Sequence, residues 1–265
     1  MNDTSKIRNF FEYLPECIKF HKLRNEGLVK TIFLLILFFQ IAGSFIQYKL
    51  LGLISLADIE LLSSFLSTGM VSADTEAIYP SEQAVYILVA ILATLLIVKL
   101  ISNLFLSVYM YAYICEIKGK TLKASDSFKG AFKHIGRLIA YNIIFGLLVS
   151  IGTMFFFIPG IIAYIIFVFG YCYILDIKLT VADALTACSE ITKGKKPQIV
   201  SVFVGFFLIF ELPMLLMFSG SSFGTACLAS FFSTIVSLIL QRLITQIYMD
   251  LEYKEERKNK TISQI

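Results

Sequence analysis

Tryptophan is missing from this 265-residue chain, histidine occurs only twice, and charged residues make up 16% of it. A soluble domain carries about 25% charged and about 45–50% apolar residues, against 57% hydrophobic here with a mean hydropathy of +0.79. The shortage of charge excludes an ordinary soluble enzyme. The shortage of histidine removes further chemistry. His21 and His134 both fall in basic segments, no histidine lies in an apolar run, and no His-x-Glu pair occurs. A buried nucleophile with its base, or a clustered metal site, therefore has no material to work with. Five cysteines, Cys17, Cys115, Cys172, Cys188 and Cys227, are odd in number and lack metal-ligand spacing. They imply neither a zinc site nor a disulfide framework, and read as small buried residues of a protein facing a reducing compartment. Phosphate-binding loops are absent too, because Lys193-Gly194-Lys195-Lys196 lacks P-loop spacing. Glu255-Glu256 stands in a charged tail with no histidine after it, so a glutamate-type intramembrane protease is set aside. No catalytic, cofactor-binding or metal-binding residue is assigned.

Long apolar runs are what the chain has instead. A span needs about 20 predominantly apolar residues to cross about 30 Å of hydrocarbon. Six stretches qualify, approximately Leu28–Gln47, Gln83–Met110, Leu138–Phe157, Ile161–Leu175, Gln198–Phe218 and Gly224–Met249. The expected fold is therefore all-α: a polytopic membrane protein of six transmembrane helices in one integral membrane domain. Residues 1–27 form a cytoplasmic amphipathic segment, 28–249 the six-span bundle and 250–265 a cytoplasmic charged tail. The third and fourth spans are expected to join in a tight reversal at Pro159-Gly160. The first apolar run is of full spanning length and lacks a small-residue cleavage site, so it is not read as a signal peptide.

Charge sets the orientation. Of 23 Lys and Arg, 21 fall on one side of the spans, Lys49 on the other and Lys99 within a span. The positive-inside rule then places both termini in the cytoplasm. The opposite first loop carries Asp58, Glu60, Asp74, Glu76 and Glu82. Because the basic residues flank spans, the net charge of +4 marks topology, and no nucleic-acid partner is expected. The apolar stretch Leu50–Leu66 reads as an outer interfacial helix.

The basic-side connections resemble one another. With an offset of 57 residues, Leu122 to Phe128 lies over Leu179 to Leu185, bringing Asp126 over Asp183, and each is followed by a basic stretch and a span. Val181, Leu185, Cys188 and Thr192 share one helical face, as do Phe128, Phe132 and Ile135. The N-terminal Ile7, Phe10, Phe11, Leu14 and Ile18 form a third, more distant copy. The unit is an amphipathic helix, a span out and a span back, three times over. Such helices lie in the headgroup plane, where each Lys or Arg gains about 1 kcal/mol from anionic lipid, or pack beneath the bundle as caps. Lys193, Lys195 and Lys196 are the lipid-headgroup candidates, and anionic lipid is the expected partner, alongside a membrane-protein partner or a second copy of the chain.

Two charges interrupt the spans. Lys99 and Glu211 would each cost at least about 2.5–3.5 kcal/mol at mid-membrane, and their depths match at about 17 and 20 Å from the basic side. A direct pair, separate placements with the charge snorkelling, and a polar path remain open, and Pro213 would free one backbone carbonyl beside Glu211. Gln40, Asn103, Asn142 and Gln241 are expected to bond between helices. Tyr109, Tyr111, Tyr113, Tyr171, Tyr173 and Tyr248 read as an aromatic belt.

Ile158-Pro159-Gly160-Ile161-Ile162, the tyrosine-rich span ending in Asp176, Ala184-Leu185, Ser189 and Lys193-Gly194 resemble the membrane domain of glycerophosphoryl diester phosphodiesterases and related multi-pass bacterial proteins. The resemblance covers about residues 115–250. It implies a helical inner-membrane domain, with phosphodiesterase activity belonging to an attached soluble barrel that these residues do not contain. That activity is not carried over. Within the motif, Pro159 and Gly160 turn the chain, Asp176 ends a span, and Asp183 sits near a helix N-terminus, where a carboxylate gains about 0.3–1 kcal/mol. The function expected is a nonenzymatic membrane protein supporting envelope or lipid homeostasis or membrane protection; the alternative is a small transporter or channel-like protein using Glu211 and Lys99.

Overall fold

The computed structural model describes residues 7–55, 58, 81–155, 157–218 and 222–262, with side chains as far as 253. Among these residues all regular structure is helical. A short helix α1 (Phe10–Cys17) runs into a 3-10 turn (Ile18–His21). It is followed by α2 (Glu26–Leu51), α3 (Glu82–Ile117), α4 (Ala124–Phe132), α5 (Ile135–Phe155), α6 (Phe157–Phe167), α7 (Gly170–Asp176), α8 (Val181–Ile191), α9 (Lys196–Phe206), a π turn (Phe207–Glu211), α10 (Leu212–Met217) and α11 (Phe223–Ile262). Six segments are long and apolar enough to span a membrane: Glu26–Leu51, Glu82–Ile117, Ile135–Phe155, Ile158–Asp176, Lys196–Met217 and Phe223–Tyr253. The chain is an all-α polytopic membrane protein.

Side-chain caps start three of these helices. Asn25 Oδ1 accepts the Leu28 N–H at 3.2 Å and caps α2, and Ser81 accepts the Ala84 N–H at 3.1 Å and caps α3. Thr180 caps α8, accepting from the Asp183 N–H and donating its hydroxyl to the Asp183 carboxylate at 2.6 Å. The connections leaving α3 and α8 pass through left-handed backbone at Gly119 and Gly194, which glycine adopts without steric cost. The connection after α7 does so at Lys178, whose carbonyl accepts from the Arg137 guanidinium at 2.7 Å. The outer helix expected over Leu50–Leu66 falls largely outside the described residues. At its margins the Asp58 carboxylate accepts the Ser55 hydroxyl at 2.6 Å and the Ser81 N–H at 2.9 Å, which hold its pKa below the usual carboxylate value.

α2, α3 and α11 form a central trio, α5 and α6 a tight hairpin beside it, and α1 crosses the end of the bundle against α11 and α9. The expected unit of short helix, span and span recurs as α1–α2–α3, α4–α5–α6/α7 and α8–α9/α10–α11. The short helices press one side onto the bundle: α4 on α3, α8 on α7, α1 on α11. In α1 the buried side is Ile7, Phe10, Tyr13 and Cys17, while Phe11 and Ile18 are exposed. The apolar spacing of Phe11 and Ile18 placed them on the packed face; Tyr13 and Cys17 occupy it because their polar atoms find partners there. Pro15 is tolerated within this short helix, which tightens into the 3-10 turn one turn later.

The third span's helix ends at Phe155 and α6 begins at Phe157, so Pro159-Gly160 stands inside α6 and not between the two helices. Pro159 and Gly160 stand in the first turn of α6, where a missing proline N–H leaves no helix bond unmade. Gly160 instead lets the hairpin close. A Cβ there would meet the Thr153 backbone N at 2.7 Å, and one on Gly152 would meet the Gly160 Cα at 2.9 Å. This close approach was hidden from sequence spacing because its two glycines face each other across a turn rather than along one helix.

Burial is uneven along the membrane normal. Every residue of α11 from Arg242 to Met249 is buried, as is every residue of α7 from Gly170 to Leu175. In α3 the stretch from Leu88 to Ile101 contains no buried residue. The packed end is the one that carries the short helices and nearly all the lysines and arginines, called here the basic end.

Candidate functional site

Lys99 and Glu211, the two charges picked out by depth, are not brought together. No ion pair joins them among the described residues. Lys99 is exposed on the outside of α3 among exposed Leu95, Leu96 and Ile97. Glu211 is partly buried at the last residue of the π turn, two residues before Pro213, and lies within electrostatic reach of Tyr164. The π turn is how the helix absorbs the proline: the ladder widens before it instead of breaking.

The packed polar groups lie elsewhere, at the basic end, and form two carboxylate centres joined by α11. In the first, Asp176 ends α7 with its side chain 5% exposed. It accepts from Lys118 Nζ, from the Tyr248 hydroxyl at 3.0 Å and from the Tyr253 hydroxyl at 2.7 Å. Burial would lower the Lys118 pKa, but the hydrogen bonds to Asp176 and Tyr253 and their charges together outweigh it, so it stands above the usual lysine value. Nearby the Tyr173 hydroxyl donates to Glu252 at 2.8 Å. In the second centre, Asp250 accepts from Arg8 Nε at 2.8 Å and from the Tyr13 hydroxyl at 2.9 Å, with the Arg8 guanidinium 4.4 Å over the Tyr13 ring. Burial and the Asp250 charge push the Tyr13 phenol up. These bonds fasten α1 to α11 and α3 to α7.

Between them lies a third cluster. Gln246 donates to the Tyr113 hydroxyl at 2.9 Å and accepts from the Cys17 thiol at 3.4 Å. The Tyr109 hydroxyl donates to the Phe20 carbonyl at 3.0 Å. Arg242, 8% exposed, stacks 4.3 Å over the Tyr113 ring and reaches the Tyr109 oxygen at 3.5 Å. Of the six tyrosines expected as an aromatic belt, Tyr111 is partly exposed and five are thus interior, Tyr109, Tyr113, Tyr171, Tyr173 and Tyr248 being buried. Each has an apolar body that packs and a hydroxyl that four of the five use inside the protein. Of the four amides expected to bond between helices, Gln40 does so, accepting from Thr234 at 3.1 Å, while Asn142 Nδ2 is buried without a partner.

Lys193 and Lys196 are exposed and Lys195 partly so. Asp183 occupies the first turn of α8 and Asp176 the end of α7, as the motif implied. Sequence reasoning passed over Arg242, counting it only as one basic residue near a span end, and passed over Asp250. One signal was present: Tyr113-Ile-Cys-Glu116-Ile-Lys118 and Tyr173-Ile-Leu-Asp176-Ile-Lys178 share a pattern 60 residues apart. Each marks a returning span that ends in a carboxylate, and Glu116 accepts the Arg24 N–H at 2.9 Å.

An open groove of about 1010 Å³ lies at the basic end, lined by Leu23, Arg24, Asn25, Glu26, Thr121, Leu122 and Lys123. A narrow cleft beneath it reaches Ala112 and Glu116 on α3. Among the described residues no group of three or more His, Cys, Asp or Glu is placed to hold a metal. The fold defines the class: a multi-pass helical membrane protein with a polar, packed end. No family model, curated protein or solved structure matches the chain.

Proposed function

We propose that the chain is a nonenzymatic module of the bacterial cytoplasmic membrane, with both termini inside, that supports envelope or lipid homeostasis or protects the membrane by engaging anionic lipid at its basic end. One observation carries this reading: the short helices are fastened under the bundle by one side while lysines stay free on the other, with Lys193, Lys195 and Lys196 making no side-chain bond among the described residues. Cations held at the headgroup plane gain about 1 kcal/mol each from anionic lipid. The proposed kinship with the membrane domain of glycerophosphoryl diester phosphodiesterases rests on the Ile158–Ile162 motif and its partners, and agrees with a lipid-facing role. A transporter reading has one supporting observation, the partly buried Glu211 at a π turn beside Tyr164.

Thermal unfolding of detergent-purified protein with added phosphatidylglycerol or phosphatidylcholine tests the proposal. Phosphatidylglycerol is expected to raise the Tm more, by a margin that shrinks with salt and in the variant Lys193→Glu, Lys195→Glu, Lys196→Glu. An unchanged margin in that variant overturns the lysine role. Flux in vesicles that disappears in Glu211→Gln would favour transport instead.

A further inference from the structure

The cations at the basic end are not equally provided for. Arg8 has Asp250 and Lys118 has Asp176. Arg242 is more buried than either, and among the described residues no carboxylate lies within ion-pair distance of it. A guanidinium brings five N–H donors. Arg242 spends one on a 3.5 Å contact with the Tyr109 oxygen, and its buried Nε has no partner. Tyr109 itself donates to the Phe20 carbonyl, and the Cys17 thiol donates to Gln246 Oε1. Glu116 lies within electrostatic reach, yet its carboxylate takes the Arg24 N–H. A permanent charge is thus set about 12 Å along α11 from Asp250, in a wall of phenol, amide and aromatic ring, with too few acceptors. An uncompensated charge in such a place is costly, and native proteins pair it.

We propose that Arg242 anchors a binding site for a phosphate-class oxyanion, supplied by an anionic lipid headgroup or by free phosphate. The planar fork of arginine suits two phosphate oxygens. Tyr113 beneath the guanidinium and Gln246 behind Tyr113 hold the fork in place. A groove between the start of α2 and the end of α3 opens at the same end of the bundle, where Arg24, Lys120 and Lys123 line it and its cleft against Glu26 and Glu116 and add positive charge near the surface. This site deepens the lipid reading above by naming one interior position, and it is separate from the exposed lysines.

The test is native mass spectrometry of the full chain in dodecyl maltoside, titrated with phosphatidylglycerol, with phosphatidylcholine as the zwitterionic control and inorganic phosphate as competitor. One phosphatidylglycerol per chain is expected to bind tightly, and Arg242→Gln to weaken that binding at least tenfold. The variant Lys193→Gln, Lys195→Gln, Lys196→Gln should leave this one site intact, so loss of the surface-lysine effect and loss of the Arg242 site are told apart. Displacement by millimolar phosphate identifies free phosphate as a sufficient ligand; retention identifies the lipid headgroup. Equal binding by wild type and a folded Arg242→Gln overturns the proposal. If Arg242→Gln does not fold, arginine-labelled wild-type protein carries the test: with five arginines, one buried Nε resonance should shift on adding either probe. No shift with both overturns it.

Discussion

From Arg242 to Met249 every residue of α11 is buried, and from Leu88 to Ile101 no residue of α3 is, although both stretches belong to spanning helices. The basic end is packed like the interior of a soluble protein, with tyrosines, a glutamine and two carboxylates exchanging hydrogen bonds across helices. The far half presents leucine, isoleucine and phenylalanine outward. In lipid, apolar side chains gain little by leaving one hydrocarbon for another, so helix association falls to close packing and to polar bonds. The two ends differ because one has a dense set of polar bonds, while the other has few, Gln40 with Thr234 and Ser44 with Ser230 among them, besides the Gly152–Gly160 approach.

Substitutions that strike each end should separate them. The largest effect is expected at Asp176. Asp176→Leu leaves Lys118 and two tyrosine hydroxyls without their shared acceptor, and breaking such a buried set costs about 3–5 kcal/mol, measurable as a lowered unfolding midpoint in SDS titration. Gly160→Val tests the exception at the far half. Its side chain would meet the Thr153 backbone, which cannot move aside as a side chain can, and a loss of about 1–3 kcal/mol is expected from forcing the hairpin open. Gln246→Leu should cost about 1–3 kcal/mol, because the Tyr113 hydroxyl and the Cys17 thiol both lose a partner; a neutral result would show that the central cluster contributes nothing to the packed end. At the far half, Leu96→Ala alters an exposed side chain and should stay within about 0.5 kcal/mol.

The same contrast has a pH signature. Burial first, with the nearby charges contributing less, pushes the Cys17 thiol up to about 12, and burial pushes Cys188 up to about 12 as well. Their folded-state values lie above the ordinary thiol value of 9.0, so the folded protein holds these protons longer than the unfolded chain. Their contribution to stability is complete below pH 9 and is lost as pH rises from there toward 12. Melting curves across that window should fall for the wild type and fall less for Cys17→Ala, Cys188→Ala. Maleimide at pH 7 should leave both thiols unlabelled until the protein is unfolded.

Much of the fold was legible in the sequence. Hydrophobic run length found all six spans to within several residues, since a helix that crosses hydrocarbon must be apolar along its whole length whatever its neighbours are. The repeated basic-side element was legible for the same local reason. The candidate site was not. Lys99 and Glu211 stood out because they are charged and far from any span end, but depth along a helix says nothing of facing, and Lys99 faces outward. Arg242 looked ordinary because it lies near a basic tail. Tyr113, Tyr173 and Tyr248 looked like a belt because an interface tyrosine and a buried one have the same neighbours in sequence.

By itself the sequence determined the solvent, the number of spans and the charge difference between their two sides, because these depend on composition summed over stretches of about 20 residues. Only the tertiary structure decided which charges are paired. A carboxylate on α7 meets a lysine at the end of α3 and tyrosines from α11 over separations of 58 to 77 residues, whereas the Arg242 guanidinium on α11 lies over the Tyr113 ring and against the Tyr109 phenol. Pairing depends on rotation about the helix axis and on which helix stands alongside, and neither is written in the hydrophobicity that sets the spans.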